Sequence, residues 1–384
     1  MTDNIRIAIC QINCVVGDLN GNKAKILEYI RRAESINADI VCFPELAITG
    51  YPPEDLILKP YFVRENIDVM YEISKEVNEM VVVCGFVNKE EERLYNAAAV
   101  MYKGLVCGIY HKVLLPNYGV FDEKRYFSRG GEPLVFAFGK IRFGVNICED
   151  IWFRKGPIRF QAMASATLIL NISASPYHAG KIKTREALIT AQAREYNVAI
   201  VYTNMVGGQD ELVFDGGSIV VDRDGYVIAK ANQFKEELLS VDIPLSHLTK
   251  VYDSEQKQGR HRPKKIIEIT DKICTKHKPT LELPSCKPLA SEEEIYNALM
   301  LGLYDYVKKN GFSKVVVGLS GGIDSSLVCA IACDAIGSEN VTGVFMPSSY
   351  TSKESAEDVY ELGRNLNVKI IEIPITSIFT SYIL

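Results

Sequence analysis

Short apolar runs alternate with segments whose apolar residues recur at helical spacing. Ile5-Arg-Ile-Ala-Ile-Cys10 suits a buried strand, and Lys23 to Asn37 follows with Ile26, Ile30 and Ala33 on one helical face and charges between them. Asp39-Ile-Val-Cys-Phe43 is strand again and ends in Pro44-Glu45-Leu46; a helical stretch from about Tyr61 to Asn78 then leads into Met80-Val-Val-Val-Cys-Gly85. Tyr95 to Tyr102 and Leu105 to Tyr110 predict a hairpin turning at Lys103-Gly104. Ile141-Arg-Phe-Gly-Val-Asn-Ile147, Leu168-Ile-Leu-Asn-Ile-Ser173 and Ala199-Ile-Val-Tyr-Thr203 predict core strands, the last two separated by a helix from about Lys183 to Tyr196. Gly217-Ser-Ile-Val-Val221 and the Asp224-Gly225 turn close the region with another hairpin. This alternation predicts an α/β fold in which helices cover a sheet.

From Pro244 to Pro288 the pattern weakens. Prolines recur at Pro244, Pro263, Pro279, Pro284 and Pro288, and a basic patch runs from Lys257 to Lys265, so residues 246–290 read as a connector between domains 1–245 and 291–384. Ser291-Glu-Glu-Glu294 then starts a helix, with Ser as cap and carboxylates in its first turn, that continues through Ile295, Leu299, Leu303 and Val307 to Gly311. Lys314 to Leu319 is strand, Ser320-Gly-Gly-Ile-Asp-Ser-Ser326 a glycine-rich turn, Leu327 to Ile336 helix, and Val341 to Met346 the next strand. Strand, glycine turn and helix make an anion cradle: backbone N–H groups approach oxygens closely and the helix N-terminus favours negative charge. The turn lacks the Gly-Lys-Ser/Thr of a Walker loop and the Gly-x-Gly-x-x-Gly of a dinucleotide fold.

A length of 384 residues fits two domains, and 47% hydrophobic content supports real cores. A net charge of −5 argues against a nucleic-acid binder and offers no basic face to a membrane. One basic patch in an acidic chain reads as a solvated or domain-docking strip. The ten cysteines lack paired spacing and include no C-x-x-C, which predicts reduced thiols. Met1-Thr-Asp-Asn-Ile-Arg6 enters a strand directly, and no apolar stretch is long enough to cross a bilayer, so a cytoplasmic enzyme is expected.

Three reactive groups stand at strand ends: Glu45 after Val41-Cys-Phe43, Lys112 after Gly108-Ile-Tyr110, and Cys148 after Val145-Asn-Ile147. A carboxylate that takes the thiol proton, a thiolate that attacks an amide carbon and a cation that steadies the oxyanion form a coherent set. Taken singly, each has a plainer explanation, since strand-end Glu and Lys are usually solvated charges and a free Cys is usually buried packing. Their order and spacing decide the matter. Phe43-Pro-Glu-Leu46, His111-Lys-Val-Leu-Leu-Pro-Asn-Tyr-Gly119 and Asn146-Ile-Cys-Glu-Asp150 together resemble the nitrilase, or carbon–nitrogen hydrolase, superfamily over residues 4–243. The resemblance implies an αββα sandwich in which Glu45 is the general base, Lys112 the electrostatic stabiliser and Cys148 the nucleophile, with an acyl thioester intermediate.

Tyr118-Gly-Val-Phe-Asp-Glu123 and Asn171 to Lys181 are similar to segments that recognise glutamine in amidotransferase members. This implies glutamine-binding roles for Tyr118, Ser175 and Lys181, with Glu123 a second glutamate near the triad. Asp210 to Ser218 is also family-like and is assigned to structure. The string Leu319-Ser-Gly-Gly-Ile-Asp-Ser-Ser326 resembles the PP-loop of ATP pyrophosphatases. That implies ATP contacts at Gly318, Leu319, Ser320, Gly321, Gly322, Ile323, Asp324 and Ser325, with Met346 beside the adenine and magnesium arriving with ATP. The resemblance implies no tightly bound cofactor and no resident metal.

The pairing of the two domains resembles the glutamine-dependent NAD synthetase family. It implies that ammonia from glutamine amidates deamido-NAD at the expense of ATP, in a homo-oligomer. The family's synthetase domain, a doubly wound parallel sheet, extends beyond the three strands read here, so this 384-residue chain is expected to hydrolyse glutamine but to form little or no NAD. Two rivals remain: a stand-alone amidase or nitrilase acting on another substrate, and a non-catalytic interaction protein with a structural Cys148.

Overall fold

Strands that read as continuous apolar runs need cover on both faces, and the fold supplies it by stacking two sheets between layers of helix. A computed structural model describes residues 4–131, 133–249, 266–273, 277–281 and 286–383; the basic patch Lys257 to Lys265 lies outside them. The chain divides into two compact units, residues 1–207 with 214–288, and residues 208–213 with 289–384.

The first unit begins β1 (Asn4–Gln11), α1 (Leu19–Ser35), β2 (Ile40–Cys42), α2 (Pro60–Lys75), β3 (Val81–Glu90), β4 (Arg93–Tyr102), β5 (Leu105–His111) and a single turn α3 (Glu123–Tyr126). It continues with β6 (Val135–Phe138), β7 (Ile141–Ile147), α4 (Pro157–Met163), β8 (Leu168–Ser173), α5 (Lys181–Tyr196), β9 (Ala199–Asn204) and a hairpin of β10 (Val206–Gln209) and β11 (Leu212–Asp215), whose tip falls in the second unit. β12 (Ile219–Val221), β13 (Val227–Lys230), β14 (Glu237–Pro244), the short α6 (Leu245–Leu248) and β15 (Ile266–Thr270) complete it.

One sheet has six strands in the order β14-β1-β2-β3-β4-β5, the other seven in the order β13-β12-β9-β8-β7-β6-β15. β1, β2 and β3 are parallel, as are β7, β8 and β9, so the site-bearing ends of β2 and β7 lie in the parallel part of each sheet. Inward residues of both sheets, among them Ile7, Ile40, Val83, Phe143, Val145 and Leu170, share one core. Ile158 of α4 and Ile189 and Ala193 of α5 pack on the outer face of the seven-stranded sheet, and α1 and α2 bury Ile26, Ile30, Met70 and Ile73. This is the αββα sandwich that the family resemblance implied.

The stretch expected to be a connector does more than connect. β15 pairs in parallel with β6 at the edge of the seven-stranded sheet, and the Arg6 guanidinium donates to the Pro279 carbonyl at 2.7 Å while pairing with Asp242. The division between units falls after Pro288.

The second unit comprises α7 (Ser291–Lys309), β16 (Val315–Leu319), α8 (Ile323–Ile336), β17 (Val341–Phe345), α9 (Lys353–Leu366), β18 (Lys369–Glu372) and α10 (Thr376–Ile383). Its three strands are parallel in the order β16-β17-β18, around a core that includes Leu319, Cys329, Ala332, Phe345 and Val359. Ser291 is the first helical residue of α7, whose cap is Ala290 without a side-chain bond, so the expected Ser cap does not form.

Candidate active site

The three strand-end residues are nearly inaccessible, with Glu45 0%, Lys112 1% and Cys148 3% exposed. Sharp turns place them there. Leu46, directly after Glu45, has φ +47, and Gly85 of β3 lies so close that a Cβ on it would stand 2.3 Å from the Leu46 nitrogen. Cys148 itself adopts φ +41 and opens a tight turn, Cys148–Ile151, directly after β7. Left-handed backbone at a residue with a side chain costs on the order of 1–3 kcal/mol and persists where the surroundings hold it.

Lys112 Nζ donates to Glu45 Oε1 at 2.6 Å and to Glu123 Oε1 at 2.7 Å. Glu45 also accepts from Asn96 Nδ2 at 2.7 Å and from the Ala174 N–H at 2.9 Å, while the Tyr51 hydroxyl donates to Glu123 Oε1 at 2.9 Å. Burial alone would lower the pKa of the Lys112 ammonium, but the carboxylates of Glu123 and Glu45 more than reverse it and hold it well above the usual lysine range. Burial pushes the Glu123 carboxyl up to about 7, against the pull of Lys112 and with the help of Glu45. The Cys148 thiol is raised by burial and by the Glu45 carboxylate, with Lys112 acting in the opposite direction. At rest, therefore, sulfur carries its proton, lysine is a cation, and a carboxylate sits in the same enclosed field. Such a set suits nucleophilic attack coupled to removal of the thiol proton.

The residues expected to hold glutamine are spread around this cluster. Glu123 is part of it. Tyr118, more than half exposed, donates its hydroxyl to both Glu149 oxygens at 3.0 Å, and burial raises the Glu149 carboxyl. Ser175 is buried one residue beyond Ala174 and donates its N–H to Asn204 Oδ1 at 2.9 Å. Lys181 opens α5, donates to the Pro176 carbonyl at 2.6 Å and lies over the Trp152 ring at 5.9 Å; burial and Arg185 lower its pKa. A thiolate formed at Cys148 would raise the pKa of both Tyr118 and Lys181.

Sequence reasoning missed Asn96, Tyr51 and the Glu149 side chain. Asn96 carried a usable signal, because an amide before the run Ala97-Ala-Ala99 of a buried strand needs a partner. In the segment assigned to structure, Asp215 forms a fully buried pair with Arg185 at 2.8 Å.

In the second unit, the glycine turn joins β16 to α8. Gly321 has φ +82, and a Cβ there would lie 2.5 Å from the Ser355 carbonyl oxygen. The Ser325 and Ser326 hydroxyls both donate to the Gly322 carbonyl, at 3.1 and 3.0 Å, and the Gly322 N–H donates to Ser320 Oγ at 3.2 Å. Ile323 and Asp324 are exposed at the start of α8. Met346, half exposed, adjoins Gly318, where an added Cβ would stand 3.6 Å from the methionine Cε. Among the described residues no group of three or more His, Cys, Asp or Glu side chains is placed to hold a metal, and no helix is long and apolar enough to cross a membrane.

Comparison with known proteins agrees with this division. The carbon-nitrogen hydrolase family matches residues 6–253, and the NAD synthase family matches residues 295–383. The glutamine-dependent NAD(+) synthetase of Thermotoga maritima is 46% identical over 99% of this chain and 66% of its own length, and that of Aquifex aeolicus 44% identical over 98% and 67%. The chain thus spans about two thirds of the length of these relatives. The glutamine-dependent NAD+ synthetase of Acinetobacter baumannii, solved with ADP, superposes with a TM-score of 0.87 at 38% identity, covering 99% of this chain and 66% of that one. A nitrilase-superfamily amidase of Nesterenkonia superposes with a TM-score of 0.58 at 27% identity, over 64% of this chain and 92% of the amidase. The chain belongs to the glutamine-dependent NAD(+) synthetase family, with a carbon–nitrogen hydrolase domain ahead of a PP-loop NAD synthase domain.

Proposed function

We propose that the first unit hydrolyses the side-chain amide of glutamine, and that the ammonia serves ATP-dependent amidation of deamido-NAD by the synthetase to which the second unit belongs. The observation that carries this reading is the buried Lys112 ammonium bonded to both Glu45 and Glu123 beside a Cys148 thiol. Glu45 takes the thiol proton as sulfur attacks the amide carbon. The oxyanion is met by Lys112 and by the Glu149 N–H, each such donor lowering the barrier by roughly 3–4 kcal/mol in comparable sites. Collapse expels ammonia, with the proton returned from Glu45, and leaves a thioester. Water, deprotonated by Glu45, then releases glutamate and restores the thiol. Tyr118, Ser175 and Lys181 hold the amino-acid end of glutamine, a role supported by their position around Cys148.

In the second unit, Gly318 to Ser325 hold the phosphates of ATP and Met346 flanks the adenine; the exposed Ser320 and the positive φ of Gly321 support this. Asp324, exposed at the loop, would supply a carboxylate to a magnesium ion bound with the phosphates, an ion that takes one or two carboxylates plus substrate oxygens. Among the described residues the thiols of Cys10, Cys42, Cys84, Cys107, Cys148, Cys286, Cys329 and Cys333 are free, which supports a reducing, cytoplasmic setting; assembly into a homo-oligomer follows from the family resemblance.

The test is a panel of amides and nitriles together with amide-labelled glutamine. Ammonia released from glutamine alone, with a thioester trapped on Cys148, supports the reading. Turnover of simple aliphatic amides would favour the stand-alone amidase, whose solved relative superposes on the first unit. A Cys148 left unmodified by a glutamine-mimicking electrophile refutes the chemistry.

A further inference from the structure

Lys112 and Cys148 belong to different sheets, because β5 ends the six-stranded sheet and β7 lies within the seven-stranded one. Sheets packed through side chains slide and splay more readily than strands joined by a ladder, so something has to fix the offset between these two strand ends. Glu45 does not complete that task, since it bonds to Asn96, Lys112 and the Ala174 N–H, none of which adjoins Cys148 in the chain. Asp150, two residues beyond the nucleophile, is fully buried and bonds to both ends. Its Oδ1 accepts from the N–H of Val113 at 3.1 Å and of Leu114 at 2.8 Å, the two residues that follow Lys112. Its Oδ2 accepts from the N–H of Ile147 at 3.1 Å, just before Cys148, and from the Tyr110 hydroxyl at 2.7 Å.

We propose that Asp150 is a positioning residue that fixes the Lys112 ammonium against the Cys148 sulfur by tying the backbone after one to the backbone before the other. The proposal rests on the glutaminase reading above and deepens it.

Stoichiometry makes the assignment specific. A carboxylate offers about four lone-pair sites on two equivalent oxygens, and four donors meet it here. Asparagine has the same shape but one oxygen. Whichever way its amide turns, an NH2 group faces two N–H or O–H donors, so either the Lys112 side or the Cys148 side is released. Burial raises the Asp150 carboxyl to about 6, restrained by the bonds from Tyr110, Leu114 and Ile147, so the carboxylate form prevails above neutrality.

The experiment compares Asp150→Asn with the unaltered 384-residue chain, counting active sites by the fraction of Cys148 labelled. Misplacing reacting groups by about an ångström costs on the order of a hundredfold. The expected result is a kcat per labelled site about a hundredfold lower, with KM for glutamine within about threefold. A purely structural Asp150 would instead lower the melting temperature and the labelled fraction, and leave kcat per labelled site at the unaltered value; that result overturns the proposal. Alkylation of Cys148 by chloroacetamide supplies a readout independent of glutamine turnover. It is expected to slow about tenfold in D150N, and an unchanged rate is equally fatal. If the unaltered chain alkylates but releases no ammonia from glutamine, the glutaminase reading fails while the alkylation comparison still judges Asp150. Should D150N fail to fold, Asp150→Glu keeps the charge but carries its oxygens one methylene too far to hold the backbone on both sides. A several-fold lower alkylation rate is then expected, and wild-type behaviour overturns the proposal.

Discussion

Both units carry polar groups where a parallel strand ends, yet they treat those groups in opposite ways. Around Cys148 the carboxylates, ammonium and thiol are buried, and the ammonium is bonded to both carboxylates before any ligand arrives. Around Ser320 the serines bond within their own loop, and Gly322, Ile323 and Asp324 are exposed. The difference follows from the chemistry each has to do. Bond-making at sulfur gains from a dry, preorganised field, whereas a phosphate cradle supplies backbone N–H groups and leaves charge stabilisation to the ligand's cation. A site of the first kind is fragile toward loss of any buried member; a site of the second kind tolerates substitutions outside its glycines.

The largest expected effect is at the nucleophile. Cys148→Ala removes the attacking atom, and glutamine hydrolysis should fall by roughly 10⁴-fold or more, measured as ammonia release. Nucleotide binding by the second unit, followed by calorimetry with ADP, should not change. A loss of both would break the contrast between two self-contained sites.

Lys112→Met tests whether burial makes the cluster fragile. Glu45 and Glu123 would face each other without the cation that joins them. Removing one partner of a buried pair costs about 3–5 kcal/mol, which urea unfolding should show alongside a large fall in ammonia release. A variant of unaltered stability would mean that solvent reaches the carboxylates.

The parts of this arrangement that were legible in the sequence are those written locally. Ile141 to Ile147 and Leu168 to Ser173 read as strands because their pattern is a buried run, and both occupy those residues. Glu45, Lys112 and Cys148 stood out only together, because the three motifs that hold them, in that order and spacing, resemble the carbon–nitrogen hydrolase superfamily. What failed was non-local. Asn96 reaches Glu45 across 51 residues and Ala174 across 129, and no spacing announces either. β15 escaped notice because Ile266-Ile-Glu-Ile-Thr270 is a short edge strand among prolines, and its half-buried pattern is only completed by β6. Ser291 illustrates a local failure: its neighbours suit a cap, but the helix begins one residue earlier than the serine requires.

Glu123→Gln sharpens the electrostatic half of the contrast. The folded carboxyl titrates at about 7 against 4.5 for the free group, so between those values the folded chain holds a proton that the unfolded chain has released. The contribution of this group to stability is therefore present at low pH and declines as pH rises toward 7. In the variant, the difference in unfolding free energy between pH 5 and pH 8 should shrink by on the order of 1–3 kcal/mol. A steeper dependence in the variant would reverse the assigned sign.

The smallest effect is expected at the open site. Gly321 combines a left-handed backbone with an approach to the Ser355 carbonyl that leaves no room for a Cβ, so Gly321→Ala has to displace either the loop or the start of α9. Because Ser320, Gly322 and Ile323 are exposed, the loop has space to yield, and the strain is relieved at the expense of the N–H geometry that a phosphate would use. Weakening of ADP binding by about tenfold, equivalent to about 1.4 kcal/mol, is the expected calorimetric result, with ammonia release from glutamine unaltered. Undiminished ADP binding would place the phosphates elsewhere in the second unit. A parallel fall in glutamine hydrolysis would show that the open loop and the closed cluster do not act independently, which is the premise of the contrast.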